Sequence, residues 1–435
     1  QPPRGAGAAR PRRAGVVRAE PPPLRSPPDR GRAAQSGRRS VLLSGLAGAG
    51  LAATAAIATA ASGGPSASAA SAVPPGTRAT GPDAVARPFR GAHQAGILEA
   101  PPAYATFVAL DLVDGADADV VRRLLTVWTD DIERLMAGRG TLTDQEPELA
   151  SVTAELTVTV GVGRRVVEVV GAQVPAWLAP LPAFAIGRLQ PRWSGGDLLL
   201  QICATSPTTV AHAQRRLLAG AAGLASVRWV QRGFREPHEG PGVPMRNLFG
   251  QVDGTVQPDV AGLDADLLWS LDGAPAWLRG GSSVVVRRIE MDLDGWDRVD
   301  RLSRENSIGR RLATGAPVTG GGLDTAPDLE AVDGLGFHVV DDAAHIRRAH
   351  ASAPHERFLR RPYSYDDAPD AGSTSSSGLV FVAYQADPVR QFVPVQARLA
   401  ELDLLNLWTT PTGSAGVAVL PGAQEGEVLG EAMWT

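Results

Sequence analysis

Three short segments in the second half of the sequence carry side chains that could act together in chemistry. Residues 246–255 place Asp253 in a turn bounded by Gly250 and Gly254, and residues 357–365 carry a cluster of arginines. Between these segments lie three histidines that are close together in the chain: His345, His350 and His355. One histidine as a metal ligand, one carboxylate in a turn and guanidinium groups suited to propionates, phosphates or peroxide together predict a haem site.

Each segment also has an ordinary structural interpretation. An aspartate between glycines is typical of a turn in which the carboxylate accepts nearby backbone N–H groups, and arginines clustered on a loop commonly form a solvated surface. His345 and Asp341 lie at helical spacing, which fits either a surface pair or a divalent metal site. The haem prediction therefore depends on the three segments occurring together.

The composition indicates a folded chain and excludes several kinds of site. Of the 435 residues 44% are hydrophobic and 20% are charged, which excludes a mainly disordered chain. All 42 basic residues are arginine and ten of them lie in residues 1–39, so the remainder is acidic and lacks the basic face that nucleic-acid binding needs. The single cysteine, Cys203, excludes an internal disulfide and a cysteine-ligated zinc or iron–sulfur site. A metal must therefore be held by histidine or carboxylate, or arrive inside a cofactor.

The N-terminal segment is predicted to direct the chain to its location and to lie outside the fold. Arg38-Arg39 precede an uncharged stretch rich in alanine and glycine, which resembles a twin-arginine export signal. The alternative is a membrane anchor over residues 41–61, which are long enough to span a bilayer but only weakly hydrophobic. We expect a signal and leader over residues 1–75, a linker over residues 76–95, and recognition by the twin-arginine machinery. The expected location is extracellular, periplasmic or in the cell envelope.

The elements that must position the candidate side chains form two copies of one pattern. A strand over residues 196–204 leads into a helix that starts at Pro207, and a strand over residues 378–387 leads into a helix that starts at Pro388. With the other strands of the first copy, the order is strand, helix, strand, strand, helix, strand, which is ferredoxin-like.

The fold class expected from this repeat is α+β, with two ferredoxin-like domains in tandem. The first domain is predicted over residues 96–240 and the second over residues 241–435. The second copy has a long predicted insertion over residues 306–377, which carries most of the candidate side chains. Insertions of this length in a compact domain are usually functional or disordered.

Taken together, the motifs resemble those of the dye-decolorizing peroxidase family, in its branch exported by the twin-arginine route. The specific marks are the GxxDG turn at Gly250 to Gly254, the HIRRAH segment that starts at His345, and Phe358-Leu359-Arg360-Arg361. The resemblance covers nearly the whole chain after the leader, from Gly91 to Gly422.

The resemblance implies one non-covalent haem b in the second domain and a role for each candidate side chain. His345 would be the proximal ligand of the iron, while Asp253 and Arg360 would be the distal catalytic residues. The acceptor of the second imidazole N–H would be Asp403 or Asn406. Further contacts with the cofactor would come from Gly254, Thr255 and His350.

The activity implied by the resemblance is that of a haem peroxidase. Such an enzyme reduces hydrogen peroxide and oxidises an organic donor, phenolic or dye-like, by single-electron steps. The competing function is that of a haem-binding or iron-releasing, deferrochelatase-like protein of iron uptake. The resemblance leaves the oligomeric state open, with a homo-oligomer as one possibility.

Two departures from the family pattern give further expectations. His350-Ala351-Ser352 stand where relatives usually have Asn-Pro-Arg, so one propionate anchor would be missing, with Arg310 or Arg311 either replacing it or forming a structural salt bridge. Gly416-Val417 stand in place of a bulky Leu-Phe pair, which predicts a roomier and wetter distal pocket.

Overall fold

Secondary structure in the computed structural model is described for residues 86–236, 244–270, 273–369 and 371–435. The predicted export signal, the leader, the alternative anchor and the first part of the linker lie outside the described residues. Within the described ranges no helix is both long enough and apolar enough to cross a membrane.

The first half of the fold is built from four strands and three helices. The strands form where branched apolar residues follow one another with few charges, as such residues pack well on a pleated surface. The elements are β1 (Tyr104–Leu112), α1 (Ala118–Met136), β2 (Thr157–Val162), α2 (Arg164–Val170), β3 (Leu198–Ala204), α3 (Pro207–Gly220) and β4 (Ala225–Phe234). The strands pair antiparallel in the order β2-β3-β1-β4, which is the ferredoxin-like order.

Side-chain caps fix where the two long helices of this half begin. The Asp117 carboxylate accepts the backbone N–H of Val120 at the start of α1, and the Ser206 hydroxyl accepts that of Thr209 at the start of α3. Pro207 occupies the first turn of α3, where its missing N–H costs nothing. The helix start predicted at Pro207 is therefore confirmed. The start predicted at Pro388 is wrong by four residues, because a turn precedes the helix that begins at Phe392.

The second half repeats the arrangement with more irregular connections. Its elements are β5 (Met245–Arg246), β6 (Val252–Asp253), β7 (Ser282–Met291), α4 (Leu293–Asp297), α5 (Arg301–Ile308), α6 (His345–Arg348), β8 (Leu359–Arg360), β9 (Tyr363–Asp367), β10 (Ser376–Gln385), α7 (Phe392–Leu402) and β11 (Thr409–Val419). Here too the four main strands pair antiparallel, in the order β9-β10-β7-β11. The α+β class with two ferredoxin-like units is confirmed.

One strand of the second unit lies inside the segment that the sequence predicts to be an insertion. β9 pairs with β10 from Asp367↔Ser376 to Tyr363↔Val380, and it holds the position that β2 holds in the first unit. The insertion is therefore shorter than residues 306–377. β9 has only five residues, so its alternation is too brief to stand out from sequence alone.

The two units share one continuous sheet. β11 pairs with β2 through Ala418↔Val162, and β4 pairs with β9 through Phe234↔Ser364. Together with the β7–β10 pairing these contacts close eight strands into a ring, so each of those strands has a neighbour on both sides. Closure removes the exposed strand edges that two separate sheets would leave.

Closure of the sheet divides the core into three parts. One cluster lies between the first unit's strands and its helices, and a second joins residues of both units, including Phe107, Cys203 and Tyr384. A third, with Met291, Trp296 and Leu405, lies on the helical face of the second unit. The candidate side chains gather beside this third cluster.

Candidate functional site

A cavity of about 330 Å³ lies between the sheet and the helices of the second unit. Its walls are largely apolar and come from three main elements, β7, β10 and α7, in the form of Ile289, Met291, Leu379, Phe381, Phe392, Val395 and Leu399. All six candidate site residues also line it: Asp253, Gly254, Thr255, His345, His350 and Arg360. A largely apolar cavity with a few convergent polar groups is the usual form of a cofactor site.

His345 is the first residue of the single-turn helix α6 and its ring is held by one carboxylate. Its Nδ1 lies 2.6 Å from Oδ2 of Asp403, while Oδ1 of Asp403 accepts the backbone N–H of Leu405 at 2.9 Å. No described residue hydrogen-bonds Nε2 of His345. Nδ1 is thus engaged by a fixed acceptor, and Nε2 is left available as a metal ligand on a cavity-lining ring.

The electrostatic surroundings of His345 come from both walls of the cavity. Burial alone lowers the pKa of His345, but the Asp403 carboxylate outweighs burial and the pKa is raised. The Asp253 carboxylate also raises this pKa, while the Arg360 guanidinium lowers it. All four groups therefore act within one site.

The structure distinguishes between the partners that the sequence left open for His345. Asn406 also lines the cavity, but its side-chain N–H₂ donates to the carbonyl of Leu399 at 2.8 Å. Asp341, the other residue at helical spacing, accepts the backbone N–H of Ala343 at 2.8 Å. Asp403 is therefore the carboxylate that holds the ring, from the turn where α7 ends.

Asp253 and Arg360 are brought together from two very short strands. Oδ1 of Asp253, on β6, lies 3.5 Å from Nη1 of Arg360, on β8. The Arg360 guanidinium also donates to the carbonyl of Val256 at 2.9 Å, and the Gln257 side chain pairs with the Arg360 backbone at 2.9 and 3.0 Å. Since β8 is anchored to β10 through Arg360↔Ala383, the guanidinium is held on a rigid element.

The residues that flank these groups have distinct roles in the cavity wall. Gly254 has φ +90°, a backbone conformation that L side chains rarely adopt, so glycine is required where the chain turns along the cavity. Thr255 follows it in the wall. The backbone carbonyl of His350 accepts a hydrogen bond of 2.9 Å from Arg398, which fixes the end of the segment that begins at His345.

Of the two arginines considered as a replacement anchor, only Arg310 lines the cavity. Arg310 is buried and donates to the carbonyls of Gly315 and Leu323, and burial, with Arg360 nearby, lowers its pKa. Arg311 instead pairs with Glu305 at 3.0 Å, which is the structural salt bridge that the sequence left open.

The expectation for Gly416 and Val417 is wrong. Gly416 is an exposed residue of β11, and Val417 packs in the core cluster shared by both units. Neither is among the described residues that line the cavity, so no roomier pocket follows from them. Strand alternation places Leu379 and Phe381 on the cavity face of β10, and this pair supplies the bulky apolar wall.

Sequence reasoning missed an aromatic group in the wall of the cavity. The rings of Phe358, Phe381 and Phe392 lie 6.1 to 6.3 Å apart between centroids. Phe381 and Phe392 lie in elements that the sequence predicts. The two-residue period of a strand also predicts that residues 379 and 381 share one face. Contact with Phe358, in a connecting loop, could be known only from the fold.

The side chains around the cavity fit a metal whose ligands come mostly from a cofactor. Among the described residues no group of three or more His, Cys, Asp or Glu side chains could hold a metal ion. A single cavity-lining histidine with its other nitrogen fixed suits a porphyrin iron, which needs only axial ligation. The apolar walls suit the macrocycle, and the guanidinium of Arg310 suits an anionic substituent, whereas that of Arg357 is paired with Asp264 at 2.5 Å.

Comparison with protein-family models matches both halves of the chain. Residues 94–235 match the model for the N-terminal part of Dyp-type peroxidases, and residues 244–424 match that for the C-terminal part. Together these ranges include all the cavity residues named above.

Comparison with individual proteins gives the same result. The chain is 38% identical to a dye-decolorizing peroxidase of Thermobifida fusca over 367 residues, which are 78% of this chain and 83% of that protein. It is 33% identical to a deferrochelatase of Escherichia coli over 372 residues, covering 80% and 87% of the two chains. The crystal structure of a DyP-type peroxidase from Cellulomonas bogoriensis superimposes with a TM-score of 0.79 at 54% identity, covering 81% of this chain and 99% of that one. The chain therefore belongs to the Dyp-type peroxidase family of haem-dependent enzymes.

Proposed function

We propose that the protein reduces hydrogen peroxide and oxidises phenolic or dye-like organic donors one electron at a time, with non-covalent haem b as its cofactor. The observation that carries the proposal is the meeting of two groups in one cavity. One is His345, tied to Asp403 at 2.6 Å, and the other is the Asp253–Arg360 pair. In this assignment His345 would ligate the haem iron, and the Asp253–Arg360 pair would act on hydrogen peroxide.

The part played by His345 and Asp403 is to hold the cofactor and set its electron density. A carboxylate that accepts the Nδ1–H makes the imidazole a more basic ligand and fixes its orientation. Haem, when bound, supplies the electrons that peroxide reduction requires and recovers them from the donor. Asp403 itself is buried, at 7% exposure, so its charge acts on the imidazole with little screening by water.

The part played by Asp253 is to move one proton. In hydrogen peroxide one oxygen must lose a proton and the other, which leaves as water, must gain one. A single carboxylate within reach of both oxygens can serve both proton transfers. The Asp253 side chain lines the cavity and has its carboxylate held beside Arg360 rather than buried in a turn.

The part played by Arg360 is to stabilise charge. As the O–O bond breaks, negative charge develops on the departing oxygen, and a fixed guanidinium in a largely apolar cavity stabilises that charge strongly. Arginine stays protonated at any working pH. The contacts of Arg360 with Val256 and Gln257 hold it in place before peroxide arrives.

The test uses the haem-loaded protein and stopped-flow mixing with hydrogen peroxide. In Asp253→Asn we expect haem binding to be unchanged and the rate constant of the peroxide reaction to fall by about 10²- to 10⁴-fold, because a positioned proton-transfer group is lost. The matched control is Asp259→Asn, which removes an exposed carboxylate a few residues away. A variant at Asp253 that reacts within a few-fold of the wild-type rate would contradict the assignment.

The second candidate function is removal of iron from haem, which the 33% identical deferrochelatase supports. The two functions differ in their product. Incubation of haem with the protein yields the fluorescence of metal-free porphyrin if iron is released, whereas a peroxidase leaves the porphyrin metallated and oxidises an added phenol in proportion to the peroxide consumed. We expect the second outcome.

Export by the twin-arginine route is the proposed path to a site outside the cytoplasm. Arg38-Arg39 and the uncharged stretch that follows support it. The test is to follow the protein in cells in which both arginines are replaced by lysine. Retention of that variant inside the cytoplasm is expected, and unchanged export would refute the proposal.

A further inference from the structure

A second, smaller cavity of about 30 Å³ borders the same catalytic pair. It shares Asp253, Gly254 and Arg360 with the large cavity. Its remaining walls include two further arginines, Arg235 and Arg361, and apolar side chains such as Leu98, Met245 and Leu359. Glu99 also lines it, and its carboxylate accepts the backbone N–H of Gly96 at 2.8 Å. A volume of this size holds one water molecule or one small ion.

Arg361 is the unusual member of this wall. It is only 2% exposed, and its Nη1 donates to the backbone carbonyls of Ile97 and Glu99. Its Nε and Nη2 are buried and lack a strong acceptor among the described residues, although the Cys203 thiol interacts with the guanidinium as a weak one. A buried guanidinium with unfilled donors and no counter-charge is costly, so a missing partner is expected beside it.

The polar side chains packed around Arg361 do not supply that partner. They are Cys203, Tyr363 and Tyr384, and burial raises the pKa of each of the three. Each therefore remains neutral at ordinary pH. The adjacent Arg360 has its own carboxylate in Asp253, at 3.5 Å.

We propose that the small cavity binds one small monovalent anion, a halide ion in the simplest case, through Nε and Nη2 of Arg361. The cavity volume suits an ion of about the size of a water molecule, which is smaller than a tetrahedral oxyanion such as sulfate. The apolar side chains in the wall strengthen the attraction, because charges interact more strongly where less water is present. An ion here lies beside Arg360 and competes with Asp253 for its guanidinium, so halide slows the reaction with peroxide. The binding site itself does not depend on which residue ligates iron.

The direct test is crystallographic. Crystals of the haem-loaded protein soaked in sodium bromide are compared with crystals soaked in sodium sulfate of equal ionic strength, using the anomalous signal of bromide. The expected result is a bromide peak within hydrogen-bond reach of Nε and Nη2 of Arg361. A small cavity that holds only water at high bromide concentration would overturn the proposal.

A pair of variants separates halide binding from general effects of losing a buried arginine. Arg361→Met removes the donors, and Arg287→Met is the matched control, since Arg287 is 1% exposed, has a buried Nε without a partner, and does not line the small cavity. Bromide, in contrast to sulfate, should raise the melting temperature of the wild type and of Arg287→Met. In Arg361→Met the affinity for bromide should be about tenfold or more lower, because a charged hydrogen-bond donor is lost. Equal bromide stabilisation of both variants would refute the assignment.

Two further readouts keep the test decisive. If Arg361→Met fails to fold, the wild-type bromide map decides the question. The Soret band reports separately on anions that reach the cofactor, so a halide effect that shifts this band and leaves the small cavity empty would also refute the proposal. Loss of peroxide reactivity in Asp259→Asn, or its retention in Asp253→Asn, bears on the proposed function and leaves the anion site unaffected.

Discussion

Replacement of Asp403 by asparagine isolates the charge beside the His345 imidazole. The carboxylate lies 2.6 Å from Nδ1 of His345 and is 7% exposed. Asparagine keeps its shape but has a single acceptor oxygen, so a neutral hydrogen bond to Nδ1 is kept at the expense of the cap on Leu405. A hydrogen bond to a charged group contributes about 1.5–3 kcal/mol against about 0.5–1.5 kcal/mol for a neutral one, so the change removes roughly 1–2 kcal/mol. For a one-electron couple, tenfold in equilibrium corresponds to about 59 mV.

The expected result of Asp403→Asn is a ferric–ferrous potential raised by roughly 40–90 mV, because the negative charge that favours ferric iron is gone. Haem affinity should fall by about 10-fold. The assay is spectroelectrochemical titration of the haem-loaded variant. Asn406→Ala is the control, because Asn406 lines the same cavity but bonds to Leu399. An unchanged potential in Asp403→Asn, or an equal shift in the control, would refute the reasoning.

Two further predictions concern iron ligation and stability. His345→Ala should lose iron ligation or retain only loosely held haem, and a five-coordinate imidazole spectrum in that variant would show that another residue binds iron. Burial, together with the neighbouring Asp130, raises the pKa of Asp131 to about 6. The folded state therefore binds this proton more tightly than the unfolded chain, whose aspartate has a pKa of about 3.9, and stability falls as pH rises through this window. Asp131→Asn should remove that loss and increase the free energy of unfolding by about 2 kcal/mol more at pH 8 than at pH 4, in denaturant titrations with the exposed Asp114→Asn as control. A stability gain of equal size at both pH values would contradict this.

The main elements of the fold were accessible from sequence because their signals are local. Pro207 marks a helix start by its missing N–H, and the apolar runs of β3 and β10 predict strands without reference to the rest of the chain. β9 was missed because five residues carry too little periodicity. Gly416 was wrongly predicted to border the cavity, because alignment with a family pattern does not show which face of a strand lines a cavity.

The chemical types of the site residues were also set by the sequence. Asp253, His345 and Arg360 were recognisable from the motifs that hold them, and the lack of a cysteine cluster already restricted the kinds of metal site. The sequence could not decide whether Asp403 or Asn406 is the partner of His345, since both lie on the same turn. A contact across 58 residues depends on how α6 packs against the end of α7.

The sequence by itself determined which side chains are present and which local elements carry them. Tertiary structure alone decided that the two units close into one ring of strands, and that a small cavity lies against Arg361 and borders Asp253 and Arg360. The physical reason is range: propensities, caps and side-chain periodicity act over a few residues, whereas cavities and buried charges arise from packing between segments that are far apart in the chain.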